Sequence, residues 1–287
     1  MMNTSTQVPI LAAFIAIISI QIGAAFAKTI FPLVGAEGFA SLRIGISAVL
    51  LFVLLKPYTL TLNKDNFIYL LEYGAIIGLM NVLIYKSFSY IPVGIAISIE
   101  VMGPLCVSIL TSRNLLNWLW FMFALVGLVL LPMGSMAQSL DFRGVAFALA
   151  AAMCWGLYIV VCKRVAPMGS RSVAIGMAIA SLFVVPFGVW HAGTALFSPI
   201  ILLYGLLVAV LSSVLPFILD MYALKYLPSS VFGILMSASP AISAIAGYVI
   251  LNEYLSYVQW LGIACISVAC LGCSIVSLRA DKPSTVA

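Results

Sequence analysis

Long apolar runs, each closed by Gly, Pro, Asn or a charged residue, follow one another along the whole chain with only short polar gaps between them. Ten can be placed, over residues 9–27, 37–55, 67–88, 93–112, 115–133, 143–163, 171–191, 199–223, 229–250 and 255–278. A hydrocarbon core of about 30 Å takes roughly 20 helical residues to cross, and each run has that length. A transmembrane β-barrel would instead show alternating segments of about ten residues. In lipid the remaining way to satisfy every backbone amide and carbonyl is the helix. The pattern therefore predicts an all-α integral membrane protein of ten transmembrane helices joined by very short connections, with no inserted soluble domain.

Composition points the same way. Of the 287 residues 64% are hydrophobic and 7% charged, at a mean hydropathy of +1.24, which excludes an ordinary soluble domain. The first run ends in "AAFAK", which has the small-x-small form of a signal-peptidase site at Ala25 and Ala27. Residues 1 to 8 hold no Lys or Arg, so the basic region of a signal peptide is missing and the run is read as a span.

Charge then orients the spans. Lys56, Lys64, Arg113, Lys163, Arg164, Arg171, Lys225, Arg279 and Lys282 fall on one side, against Lys28, Lys86 and Arg143 on the other. The excess of positive charge inside predicts that both termini are cytoplasmic. The basic residues are scattered among short loops, so the net charge of +5 gives no reason to expect nucleic-acid binding.

Self-comparison reveals a second layer of order. "YIPVGIAISIEVMGPLCVSI" from Tyr90 lies against "YLPSSVFGILMSASPAISAI" from Tyr226, matching Pro92 to Pro228, Pro104 to Pro240 and Ile109 to Ile245. Ala13, Phe14 and Gly23 fall on Ala146, Phe147 and Gly156 at a nearly equal offset. The expected organisation is a first five-helix repeat over 8–133, a second over 143–279 and a cytoplasmic tail over 280–287. An odd number of spans per repeat sets the halves in opposite orientations. Inverted repeats with proline-interrupted helices at matching positions are a feature of secondary transporters, whose site lies between the halves.

Proline has no amide hydrogen, so Pro104 cannot bond the carbonyl of Glu100, Pro240 that of Met236, or Pro216 that of Ser212. Gly103, Pro104, Pro216 and Pro240 are the expected helix breaks. Glu100 stands in a run from Val93 to Leu110 with no other charge. A carboxylate at a helix centre costs about 2.5–3.5 kcal/mol, so it needs a reason: binding or proton carriage, or an ion pair with Arg43 or Lys28.

The other polar residues in the spans divide in the same way. Asp220 either functions or pairs with nearby Lys225. Arg43 either meets a substrate carboxylate or clamps the fold. Asn81 either touches substrate or bonds across helices. Tyr85, Trp155 and Tyr158 are pocket candidates, whereas Trp118, Trp120 and Trp260 read as interfacial belt residues. Glu72 and Lys86 lie near span ends and can snorkel to the interface.

His191 is isolated, and all six cysteines fall inside spans as packing residues. Cys270 and Cys273 have metal-ligand spacing with no His or second pair, so neither a metal nor another cofactor is expected. No Gly-x4-Gly-Lys-Ser/Thr loop for a nucleotide occurs, and no nucleophile-base constellation suggests an enzyme.

The stretches "SIQIGAAFAKTIFPLVGAEGFASLRIG", "YIPVGIAISIEVMGPL", "MCWGLYIV", "LPFILDMYAL" and "LPSSVFGILMSASPA" resemble the EamA-type branch of the drug/metabolite transporter superfamily, and within it the bacterial exporters of threonine and homoserine. The likeness runs from residue 8 to about 280. It implies ten helices in two inverted repeats, a bacterial inner-membrane location and export of small amino acids. It carries a role onto Lys28, Arg43, Asn81, Glu100 and Pro104, with Asp220 standing where glutamate is expected. The Trp-Gly pair of the first helix of each half is present as Trp155-Gly156 and replaced by Ile22-Gly23 in the first half.

The expected function is thus secondary active export of a small neutral amino acid by alternating access, driven by protons carried on Glu100 or Asp220. A zwitterion needs an anionic partner for its ammonium and a cationic one for its carboxylate, which Glu100 and Arg43 supply. A broad exporter of drugs or aromatic metabolites is the rival within the class. A non-transporting membrane sensor or a membrane enzyme is the rival outside it.

Overall fold

A computed structural model describes residues 4–59, 63–111, 115–133 and 140–280, and every regular element in them is helical. Arg113, residues 134–139 of the expected inter-repeat connection and residues 281–287 of the expected tail lie outside the described residues. Nine helices among the described residues are long and apolar enough to cross a membrane. Leu110, Leu115, Leu203 and Trp190 stand exposed on the outer surface. Such side chains are an aggregation hazard in water and the normal covering of a protein in lipid.

The first helix, α1 (Thr4–Leu55), contains a single non-helical residue, Gly35, at φ 71° and ψ 168°. Only glycine takes that backbone conformation without strain, so the expected connection over 28–36 contracts to one residue. The stretches on either side, 4–34 and 36–55, are about 46 Å and 30 Å long, each enough for a crossing.

Next come α2 (Lys64–Phe88), α3 (Val93–Glu100), α4 (Met102–Thr111), α5 (Leu115–Met133), α6 (Phe142–Val165) and α7 (Arg171–Ala192). They are followed by α8 (Pro199–Ala209), α9 (Leu215–Tyr226), α10 (Ser229–Met236), α11 (Ser239–Leu251) and α12 (Tyr257–Ala280). Two expected spans are therefore broken. The run 93–112 divides into α3 and α4 at Val101, and the run 229–250 into α10 and α11 at Ser237 and Ala238. Both α3 and α10 are eight residues long and start after a proline, Pro92 or Pro228, at φ −57° and ψ 143°. Each break lies just ahead of Pro104 or Pro240, where the missing amide loosens the turn.

Pro216 acts differently. Between α8 and α9 the chain widens into a π-helical turn, Val210–Val214, in which the Leu215 amide donates to the carbonyl of Val210, five residues back. Such bulges are frequent at functional sites.

Gly103, expected to be a helix break, is not one. It lies inside α4, where a Cβ would stand 2.0 Å from the Ala152 carbonyl oxygen of α6. Gly94 plays the same part on α3, where a Cβ would meet the Ala244 Cα of α11 at 2.5 Å. Helices in lipid associate by packing alone, and small residues let their backbones touch. The main pairings are α1 with α7 and α9, α2 with α6 and α7, α5 with α12, and α3 with α11. One continuous buried cluster joins nearly all of them.

Candidate functional site

The two halves of α1, together with α2, α3, α6 and the π-helical turn, enclose a cavity of about 150 Å³. Its apolar wall includes Ile20, Met80, Ile84, Phe88 and Ile97. The polar and aromatic wall is Gln21, Arg43, Asn81, Tyr85, Glu100, Trp155 and Ser212.

Arg43 is the best-anchored of these. One terminal nitrogen donates to Asn81 Oδ1, and the other donates to the Ser212 carbonyl at 3.0 Å. That carbonyl is the one Pro216 leaves without its helical amide. Asn81 is fixed in turn, since its Nδ2 donates to the Ile77 carbonyl at 2.9 Å. The guanidinium lies 5.5 Å from the Tyr85 ring centre, within cation-π range. Edge contacts with Phe31, Phe39 and Phe88, at 6.0, 6.2 and 5.5 Å between ring centres, hold Tyr85. Arg43 Nε is buried and has no hydrogen-bond partner among the described residues.

Glu100 is the last residue of α3 and is 7% exposed. Among the described residues its carboxylate takes part in no hydrogen bond or ion pair, although the charge of Arg43 acts on it across the cavity. The ion pair weighed from the sequence is thus absent, because Asn81 and the Ser212 carbonyl hold Arg43 in place. The cavity faces a fixed cation and an unneutralised acid.

Lys28 is not brought into this group. Its ammonium pairs with Glu253 at 2.6 Å and donates to the Ile91 carbonyl at 2.9 Å. The second oxygen of Glu253 accepts from the Val93 amide at 2.9 Å, capping α3. Nor does Tyr158 line the cavity. It stacks on Tyr73 with ring centres 5.4 Å and hydroxyls 3.4 Å apart.

Asp220 lies on α9, away from the cavity lining and half-buried, with its Oδ1 enclosed and without a hydrogen-bond partner among the described residues. Its expected rival, pairing with Lys225, does not form, and that ammonium sits 5.4 Å from the Tyr226 ring. Lys86 does not simply snorkel, since it pairs with Glu37, whereas Glu72 is exposed.

Sequence reasoning passed over Gln21 and the Ser212 side chain. Both interrupt apolar runs, as Asn81 does, and that is the signal that could have found them. No group of three or more His, Cys, Asp or Glu side chains able to hold a metal occurs among the described residues, and the six cysteines are free thiols.

The profile of the EamA-like transporter family matches residues 142–275. The threonine/homoserine exporter RhtA of Salmonella typhimurium (strain LT2) is 42% identical over 273 residues, covering 94% of this chain and 92% of that protein. The chain belongs to the EamA-like transporter family. The RhtA exporter of Escherichia coli (strain K12) is 41% identical over 276 residues, 96% of this chain and 94% of its own. A solved crystal structure of another protein shares the fold at a TM-score of 0.63 and 15% identity, covering 96% of this chain and 99% of that one. As an EamA-like transporter the chain is a multi-pass membrane protein and not an enzyme, which removes the enzyme reading.

Proposed function

We propose that this EamA-like transporter exports small neutral amino acids of the threonine and homoserine type. The observation that carries the reading is the opposition of Arg43 and Glu100 across one small cavity. A zwitterion presents a carboxylate and an ammonium a few ångströms apart, and only a site with both charges neutralises it. Arg43 has an unpartnered Nε for the carboxylate, and Glu100 and its Pro104-freed backbone oxygen accept from the ammonium. The names of the RhtA relatives point to the same substrates. A cavity of about 150 Å³ is also smaller than the roughly 300–1,000 Å³ of pockets that take drug-sized ligands. This weighs against the broad drug or aromatic-metabolite exporter.

In this reading α1, divided at Gly35, counts as two of ten crossings. They are arranged as two inverted repeats over 8–133 and 143–279 in a bacterial inner membrane, with both termini cytoplasmic. The halves rock about the breaks at Pro104, Pro216 and Pro240 to open the site alternately to each side. Glu100 exchanges the substrate ammonium for a proton, which couples efflux to proton entry, and Asp220 is the second acid available to the proton path.

The test is efflux of radiolabelled threonine from proteoliposomes under an imposed proton gradient. Wild type should export faster with the gradient, and Glu100→Gln should exchange threonine without responding to it. Arg43→Ala should abolish threonine binding. Wild-type efflux indifferent to the gradient and to protonophore would sink the coupling, and a wild type that moves no threonine would return the drug or metabolite reading.

A further inference from the structure

We infer that Gln21 and Ser212 form a subsite that reads the side-chain hydroxyl of the substrate. The inference rests on the amino-acid reading above and deepens it. With Arg43 and Glu100 assigned to the two charges of the zwitterion, and both ends of the Asn81 amide already bonded, Gln21 and Ser212 stand out as polar side chains of the cavity wall with an enclosed, unpartnered oxygen. Gln21 is 4% exposed and Ser212 6%, and neither Gln21 Oε1 nor Ser212 Oγ has a hydrogen-bond partner among the described residues. Buried polar atoms in native proteins are nearly always bonded, so two orphans on one small cavity call for an occupant.

Both side chains line the same cavity. Ser19 Oγ donates to the Leu211 carbonyl at 2.6 Å, tying α1 to the π-helical turn one residue before Ser212. Gly23, on the same face of α1 as Ser19, lies against the turn, and a Cβ there would stand 2.1 Å from Ser212 Oγ. Glycine here leaves the space that the serine hydroxyl occupies. The Ser212 backbone is pinned by Arg43, so its hydroxyl is presented from a fixed support. An amide oxygen that only accepts and a hydroxyl that can donate, both on the wall of one small cavity, are together the complement of one substrate hydroxyl, which does both. A methyl group in that place would leave both protein atoms unpaired. Sites of this kind reject the analogue lacking the hydroxyl far more strongly than an apolar pocket rejects an added methylene.

The experiment compares kcat/KM for threonine with that for valine, which has the same shape with a methyl for the hydroxyl, in proteoliposomes of the full chain. Wild type should favour threonine by at least about tenfold. Gln21→Met and Ser212→Ala should each bring the ratio towards unity. For a variant that binds but does not transport, the thermal stabilisation given by threonine against valine in detergent reads the same ratio. Variants that keep the wild-type ratio overturn the subsite. A wild type that carries threonine and valine equally also overturns it while leaving amino-acid export standing. A wild type that neither carries nor binds either amino acid overturns both.

Discussion

Arg43 and Pro216 should be energetically coupled although they are far apart in sequence. Proline at 216 deprives the Ser212 carbonyl of its helical partner, and the Arg43 guanidinium supplies a replacement at 3.0 Å. Replacing Arg43 by Met removes that bond and the bond to Asn81 Oδ1, leaving two enclosed acceptors. Each orphaned acceptor costs about 1–3 kcal/mol, so the variant should lose about 2–6 kcal/mol, offset in part by no longer burying a charge. Pro216→Ala restores an amide at the position that can bond Ser212. In that background half of what Arg43 does is redundant, and Arg43→Met should cost less. Hydrogen bonds between membrane helices measured by double-mutant cycles average about 0.6 kcal/mol and reach about 1.7, which sets the coupling to expect. The assay is the unfolding midpoint of the four proteins in a mixed-micelle denaturant titration. Costs that add to within about 0.3 kcal/mol would refute the claim that the proline-freed carbonyl is what holds Arg43.

Two further outcomes follow from contacts away from the cavity. Glu253→Gln breaks a largely enclosed pair with Lys28 and should cost about 1–3 kcal/mol, between the values for exposed and for fully buried pairs; combining it with Lys28→Met should cost less than the sum of the single changes. Gly94→Ala and Gly103→Ala each drive a methyl into a neighbouring backbone and should lower stability by about 1–3 kcal/mol, measured by the same titration; midpoints at the wild-type value would mean that the helices can part without loss.

The sequence carried more of the fold than of the site. Spans are legible because lipid leaves apolar length as the main variable, and breaks are legible because proline removes a defined amide. Gly35 was hidden inside an expected loop because Pro32 and the glycines around it read as a connection. The helix in fact continues through Pro32 to Val34. Arg43, Asn81, Tyr85, Glu100 and Trp155 were found because each interrupts or punctuates an apolar run, and all five meet in the cavity. Lys28 carried the same signal and goes elsewhere, because its partner Glu253 comes from a short connection where a glutamate reads as solvated. Which of several buried charges pair with one another is a tertiary fact, and no local pattern encodes it.

Glu100 finally separates stability from function. The charges Lys28, Glu37, Lys86 and Glu253, near span ends and connections, are neutralised in pairs, and Arg43 is held by two acceptors, whereas the Glu100 carboxylate is buried with no bonded partner among the described residues. The position matched to it by the internal comparison holds Met236, in a helix of equal length starting from a proline of the same backbone geometry. The backbone architecture therefore does not need an acid at that place. Glu100→Met should raise stability, by up to about 2.5–3.5 kcal/mol if the full insertion cost of a charge is recovered, while abolishing threonine export. Unfolding midpoints and proteoliposome efflux on the same preparation read both effects. A variant that is less stable than wild type would mean that Glu100 holds the fold together, and the carboxylate would then be a strut and not the group that meets the substrate.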